Sequence, residues 1–136
     1  MDADSELKNI ADFHGHLGPF VVIGYRMGKI ANRLIGEDPF GKSALVLTGG
    51  KTPMSCVVDG VQLASGCTLG KGNIGIVDHG RVASFFISKG KESNVTVELN
   101  EDILTRIVKS EKDQLEQIAT ELFRMPEESL FRIKEG

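Results

Sequence analysis

His14 and His16 stand one glycine apart in FHGHLGP, residues 13–19, and the chain holds only one other histidine. Side chains two apart diverge on a helix, whereas an extended segment projects both to one side. Gly15 between them, and the extended bias that Pro19 imposes on Gly18, favour the second geometry. Two neutral imidazoles converging from one short segment supply half of a tetrahedral shell for zinc, nickel, copper or iron. A core role, or capping of the following helix, is the alternative and would suffice for a lone histidine. A pair beside glycines, in a chain with thiols elsewhere, favours a metal.

Those thiols are Cys56 and Cys67, the only two cysteines. In a reducing compartment they are expected to be free or metal-bound rather than bridged. Cys56 falls at the start of an expected helix, where unpaired amides and the helix dipole stabilise a thiolate, the form a metal requires. A buried structural thiol among the following valines is the other reading. Asp59 and Gln62 follow along the same helical side, where either could orient a ligand or a bound water. Asp59 is also the candidate general base, or else a solvated residue offsetting the helix dipole. Cys67 lies between glycines in GCTLGKGN, residues 66–73, a loop able to turn its sulfur back toward Cys56. His79, in D-H-G, suits a turn better than a metal. Tyr25 and Arg26 could approach a substrate, but exposed helical positions explain them equally well. Lys51 and Lys71 are best read as solvated loop residues.

These side chains must be positioned by elements that the hydrophobic pattern outlines. A short helix is expected over 5–12. After Gly15, Gly18 and Pro19 a longer one runs over 20–35, with Phe20, Ile23, Met27, Ile30 and Leu34 as its buried stripe. Pro19 suits the first helical position, where its missing N–H costs nothing. Gly24 and Gly28 share an adjoining face, which suggests close packing or a dimer contact. Residues 43–48 form a strand candidate. Ser55 can cap a helix over 56–64 that Gly66 ends. Three β-like runs, 73–78, 81–88 and 94–99, are joined by short turn-rich connectors, so adjacent antiparallel pairing is the simplest expectation. Asn100 caps a helix to about Lys109, Ser110 with Asp113 resembles a capping box for another, and Pro126 ends that region before a short tail. The class is α+β, an antiparallel sheet covered by helices, in a single domain over 1–136.

One motif misleads. Residues 36–43, GEDPFGKS, spell the pattern of a phosphate-binding loop. In that motif a strand enters and a helix leaves, so that helix amides face the phosphates. Here the order is reversed, and Glu37 and Asp38 place two negative charges in the would-be cradle. Gly36 reads better as the end of a helix and Pro39 as a breaker.

Bulk properties exclude several classes. The 136 residues are 40% hydrophobic and 26% charged, with a net charge of -3, which gives no electrostatic case for a nucleic-acid partner. No uncharged apolar run nears the roughly 20 residues that span a bilayer, and the start MDADSELKN is acidic where a secretory signal is basic. A cytoplasmic protein with no membrane partner is expected.

Together F-H-G-H-L-G-P-F with G-Y-R following, then C-V-V-D-G-V-Q and G-C-T-L-G-K-G-N, resemble the FmdE family, named for one of the subunits of formylmethanofuran dehydrogenase. The likeness covers roughly residues 5–100, with the three blocks in the expected order. It implies an α+β core assembled as an intertwined homodimer. It also implies a metal pocket to which His14, His16 and Cys56 contribute, with Cys67 in the adjoining loop. Zinc is the first expectation, and nickel, iron or copper the alternatives. No cysteine follows Cys67, so a core-only member is expected, without the C-terminal cysteine-rich zinc finger that some relatives carry.

The parent complex reduces CO2 to a formyl group on methanofuran with a molybdenum or tungsten pterin and iron–sulfur clusters. Two cysteines cannot supply the four thiolates such clusters use. The resemblance therefore implies a metal-binding accessory protein of the FmdE type, with other subunits of a molybdenum or tungsten enzyme as partners. A small metalloenzyme with an open coordination position, or a metal-sensing or interaction protein, is the alternative.

Overall fold

The computed structural model describes residues 1–136. Helix α1 spans Ala3–His14, with Asp2 at its N-cap accepting a hydrogen bond from the Ser5 amide at 2.8 Å. Helix α2 covers Pro19–Ile35, with Pro19 in its first turn and the Gly36 amide closing onto the Asn32 carbonyl. Strand β1 (Lys42–Thr48) follows, so the GEDPFGKS stretch does leave a helix and enter a strand. A 3-10 turn at Met54–Cys56 leads into α3 (Val57–Ser65), which Gly66 ends in the left-handed conformation at φ 77°. Strands β2 (Ile74–Asp78), β3 (Ala83–Ser88) and β4 (Asn94–Leu99) precede α4 (Glu101–Lys109), α5 (Leu115–Arg124), the single-turn α6 (Glu127–Leu130) and β5 (Phe131–Glu135). The class is α+β, as the sequence leads one to expect. No helix is long and apolar enough to cross a membrane.

The sheet order is β2-β1-β3-β4-β5. Three pairings are antiparallel, but β1 and β2 run parallel, with Ala44 opposite Ile74 and Thr48 opposite Asp78. This corrects the expectation that the 73–78 and 81–88 runs pair directly. Strand β1 is buried on one face at Ala44, Val46 and Thr48, and it pairs on both edges, with β2 and with β3. The D-H-G connector therefore crosses the end of β1, where the His79 amide reaches the Thr48 carbonyl at 2.9 Å. The C-terminal tail is also more ordered than its sequence suggests: residues 131–135 form β5 and pair with β4 from Leu99↔Phe131 to Val95↔Glu135.

Two capping expectations also change. Ser110 donates its hydroxyl to the Arg106 carbonyl at 2.6 Å, so it closes α4 and does not box the next helix. A 3-10 turn at Lys112–Gln114 intervenes before α5. Likewise Cys56, not Ser55, holds the N-cap position of α3, and no side chain caps that end.

The core is a cluster of 26 buried residues in which α2 lies across β3 and β4 and packs along α3. The α2–α3 approach is backbone on backbone. A Cβ added at Gly24 would lie 1.9 Å from the Val57 carbonyl oxygen, one at Gly60 would lie 2.0 Å from that of Val21, and one at Gly28 would meet Ala64 Cβ at 2.7 Å. The Gly24 and Gly28 face is thus occupied by α3 within the chain and is not free for a dimer contact. Asn32 Nδ2 donates to the Ala64 carbonyl at 2.8 Å and ties the far ends of the two helices. An alanine at an open helical position gains up to about 1 kcal/mol over glycine. Here the sign reverses: Gly24→Ala and Gly60→Ala should each lose about 3 kcal/mol through overpacking. Urea midpoints measure this, and midpoints equal to or above that of the native chain would show that the backbones do not touch.

Candidate functional site

His14 is the last residue of α1, and the chain leaves it through Gly15 at φ 109°, a conformation that favours glycine. The expected extended His-Gly-His segment is thus a helix end followed by a left-handed turn. The outcome is nonetheless a pair of neighbouring rings, with centroids 5.0 Å apart and planes tilted by 33°. The His16 ring lies over Gly18, where an added Cβ would stand 3.4 Å from its Cε1 atom.

His14 is held from α3. Its Nδ1 lies 2.7 Å from Asp59 Oδ2, across 45 positions of sequence. A carboxylate accepts from an N–H, so Asp59 selects the tautomer protonated at Nδ1 and leaves the Nε2 lone pair available. Nε2 has no partner of its own in the protein. The His14 side chain is 10% exposed and that of Asp59 41%, so the imidazole is the sheltered member of the pair.

Cys56 lines the same cavity as the two histidines, a recess of about 380 Å³ also walled by Pro53 and by Lys112, Asp113, Leu115 and Glu116 at the start of α5. Burial pushes its thiol above the ordinary value, and the negative charge of Asp59 pushes in the same direction. The helix N-terminus alone would favour the thiolate, but desolvation and a carboxylate oppose it. Metal-free protein therefore carries a neutral Cys56 at pH 7. No group of three His, Cys, Asp or Glu side chains stands close enough to hold an ion as the side chains lie.

The remaining expected residues separate clearly. Cys67 is fully buried in the core, its Sγ directed at the Lys42 carbonyl at 3.5 Å, and it forms no wall of the cavity. The cause is local: Ser65 Oγ accepts the Cys67 amide at 3.0 Å, and the left-handed Gly66 sends the chain toward β1 and not back to Cys56. Gln62 accepts the Leu69 amide at 2.9 Å and braces that loop, away from the histidines. His79 Nδ1 accepts the Arg81 amide at 3.0 Å, a turn role. Lys71 donates to Thr68 Oγ1 at 3.1 Å. Tyr25 and Arg26 are not the exposed helical residues expected. Tyr25 is buried, and its hydroxyl is pushed up to about 12 by burial and by Glu6. Arg26 donates to the Leu122, Phe123 and Met125 carbonyls at 2.7–2.9 Å and so caps α5.

Sequence reasoning missed Asp113 and Glu116, which line the histidine cavity from the far side of the chain. Asp113 has a helix-capping explanation in the sequence, and Glu116 none; neither carries a motif that could have flagged it.

Fold and recess together define a helix-covered α+β protein with two histidines and a cysteine around one cavity. The family model for FmdE, described as molybdenum formylmethanofuran dehydrogenase operon, matches residues 13–132, and the chain belongs to that family. It is thereby related to the FmdE component of formylmethanofuran dehydrogenase. A probable S-adenosyl-L-methionine-binding protein of Archaeoglobus fulgidus is 32% identical over 111 residues, which cover 80% of this chain and 30% of that protein. The chain thus spans under a third of that relative's length. The crystal structure of a tungsten formylmethanofuran dehydrogenase FmdE-like protein from Syntrophus aciditrophicus shares the fold, with a TM-score of 0.71 at 24% identity over 98% of this chain and 71% of the other.

The raised Cys56 thiol gives a direct chemical test. Only the thiolate alkylates, so an upward shift means less reactive form at any given pH. In chelator-treated protein the iodoacetamide rate at Cys56, resolved by peptide mass spectrometry, should rise along a titration centred above that of an unperturbed thiol. Asp59→Asn should move the curve back toward lower pH. A curve at or below the ordinary thiol value would contradict the arrangement.

Proposed function

We propose that this chain binds one transition-metal ion, zinc first, through His14 Nε2, His16 and Cys56, as an accessory protein related to formylmethanofuran dehydrogenase. The observation that carries the reading is the Asp59···His14 hydrogen bond of 2.7 Å. A carboxylate on one ring nitrogen fixes the tautomer and raises the basicity of the other, the arrangement that metal-ligating histidines use. The donor set fits the ion: imidazole and thiolate both suit zinc, nickel, copper and iron. Closing the shell requires rotation of side chains that already share a cavity wall, and loss of the Cys56 proton as the cation enters.

The position of Cys67 bears on what the ion would do. Four protein ligands make a closed structural site, whereas three leave a place for water or substrate. With Cys67 in the core, the fourth place falls to an exogenous ligand or to a carboxylate of Asp113 or Glu116. This favours an open site over a closed one, and with it a small metalloenzyme as the second reading. A metal there would act as a Lewis acid on a bound oxygen or carbonyl, and Asp59, already engaged with His14, would serve by orienting that ring. The ligand in the archaeal relative's name is not transferred, because most of that longer protein lies outside the match.

Elemental analysis of protein purified without added metal should find one transition-metal ion per chain. His14→Ala and Cys56→Ser should each abolish binding, Asp59→Asn should weaken it about 10–100-fold, and Cys67→Ser should leave the stoichiometry unchanged. A native protein free of metal, or full binding in His14→Ala, would refute the reading.

A homodimer is proposed as the assembly, and the outer face of the sheet supports it. No helix covers this face, and Leu45 and Val77 are 38% and 42% exposed there. Two free thiols, Cys56 and Cys67, accord with a reducing, cytoplasmic setting. Light scattering should give twice the chain mass for the native protein, and Leu45→Glu should halve it with unchanged circular dichroism. A native monomer would remove the proposal.

A further inference from the structure

The largest cavity in the protein, about 670 Å³, adjoins the histidine cavity but contains neither histidine nor Cys56. Its volume falls within the range of roughly 300–1,000 Å³ that accommodates small organic ligands. It opens at the carboxyl ends of the one parallel strand pair. Thr48 ends β1, its register partner Asp78 ends β2, and the loop from Gly49 to Met54 forms one wall.

The wall chemistry narrows the occupant. Phe20 and Ile107 are buried at its base, and Val108 on α4 is 64% exposed with its side chain on the cavity. Lys51 and Lys112 both line the cavity, and neither joins any of the protein's ion pairs. The single carboxylate, Asp78, receives the Gly50 amide on Oδ1 at 3.1 Å and has no cationic partner. A Cβ at residue 50 would stand 3.0 Å from Asp78 Oδ2, so glycine there lets the loop lie against the carboxylate. Two ammonium groups against one carboxylate leave the lining with an excess of one positive charge.

We infer that this cavity binds a small organic anion. Its apolar body rests on Phe20, Met54, Val108 and Leu115, its anionic group meets Lys51 and Lys112, and Asp78 takes a hydroxyl or amine proton. Lys112 and Phe20 belong to the walls of both cavities, so the two adjoin without sharing a histidine. The inference does not depend on a metal.

Two dyes test it on the full chain by fluorescence titration: 8-anilinonaphthalene-1-sulfonate, an aromatic body with one anionic group, and uncharged N-phenyl-1-naphthylamine. The sulfonate dye should bind saturably at one site per chain. Val108→Glu, at an exposed position and checked by circular dichroism, should weaken both dyes at least about tenfold, since it places an unpaired charge against the apolar body. The double variant Lys51→Gln, Lys112→Gln should weaken the sulfonate dye about tenfold and leave the uncharged dye within about twofold. Leu69→Glu, at an exposed position outside both cavities, should change neither. The inference is overturned by absence of saturable binding, by equal response of both dyes to the lysine changes, or by loss of binding in Leu69→Glu. Loss in His14→Ala would also overturn it, whereas retained binding there, with or without metal, keeps it separate from the metal reading.

Discussion

The contact on which the site rests is the backbone approach of α2 and α3. The two helices run in the same direction, Gly24 against Val57 and Gly28 against Ala64, with Gly60 set against Val21. Side chains larger than hydrogen at these positions would hold the axes apart. Because the helices are parallel and in register, their N-terminal ends lie together. The histidine segment precedes one of those ends, and Cys56 with Asp59 forms the other. Glycines that never touch the cavity therefore decide whether the Asp59 carboxylate reaches His14.

The resulting recess trades electrostatics against packing. A helix N-terminus favours a thiolate at Cys56, yet desolvation and the neighbouring Asp59 keep the proton on sulfur. The same carboxylate prepares His14 by holding its Nδ1 proton. One acidic side chain thus leaves the Nε2 lone pair of His14 open and helps keep Cys56 a neutral thiol. A cation entering the cavity would lift that restraint, because its charge offsets both the carboxylate and the cost of burying the thiolate.

Much of this is legible in the sequence, and the failures share a cause. The histidine pair, Cys56 and Asp59 carry chemistry in short local patterns. Pro19 at a helix start and Gly66 at a helix end are likewise set by local backbone rules. The helix-then-strand order around GEDPFGKS is readable from hydrophobic periodicity alone. What cannot be read is non-local. Insertion of β1 between β2 and β3 depends on pairing along both of its edges, and no connector length reveals it. Strand β5 shows one buried residue, Phe131, in an otherwise exposed run, so its pairing with β4 leaves almost no apolar signature. The direction taken by Cys67 is decided by a single hydroxyl, that of Ser65, accepting its amide.

The C-terminal third shows how far such non-local dependence extends. Lys112 and Leu115 wall both cavities, yet they lie in no motif, where a 3-10 turn runs into the first turn of α5. The helix they lead into is tied to α2 at its far end by Arg26. Its guanidinium, half buried and held below its ordinary pKa by that burial, donates to three carbonyls at the end of α5. Those carbonyls have no partners within the helix, and a charged donor satisfies them more strongly than a neutral one. Arg26 belongs to the same helix whose other face meets α3 through glycine. Helix α2 therefore meets both neighbours of the recess at once: α3 through contact without side chains, α5 through the long side chain of Arg26. The G-Y-R that follows the histidines in sequence is part of the frame around them, and the match of the family to residues 13–132 covers that frame as well as the motifs.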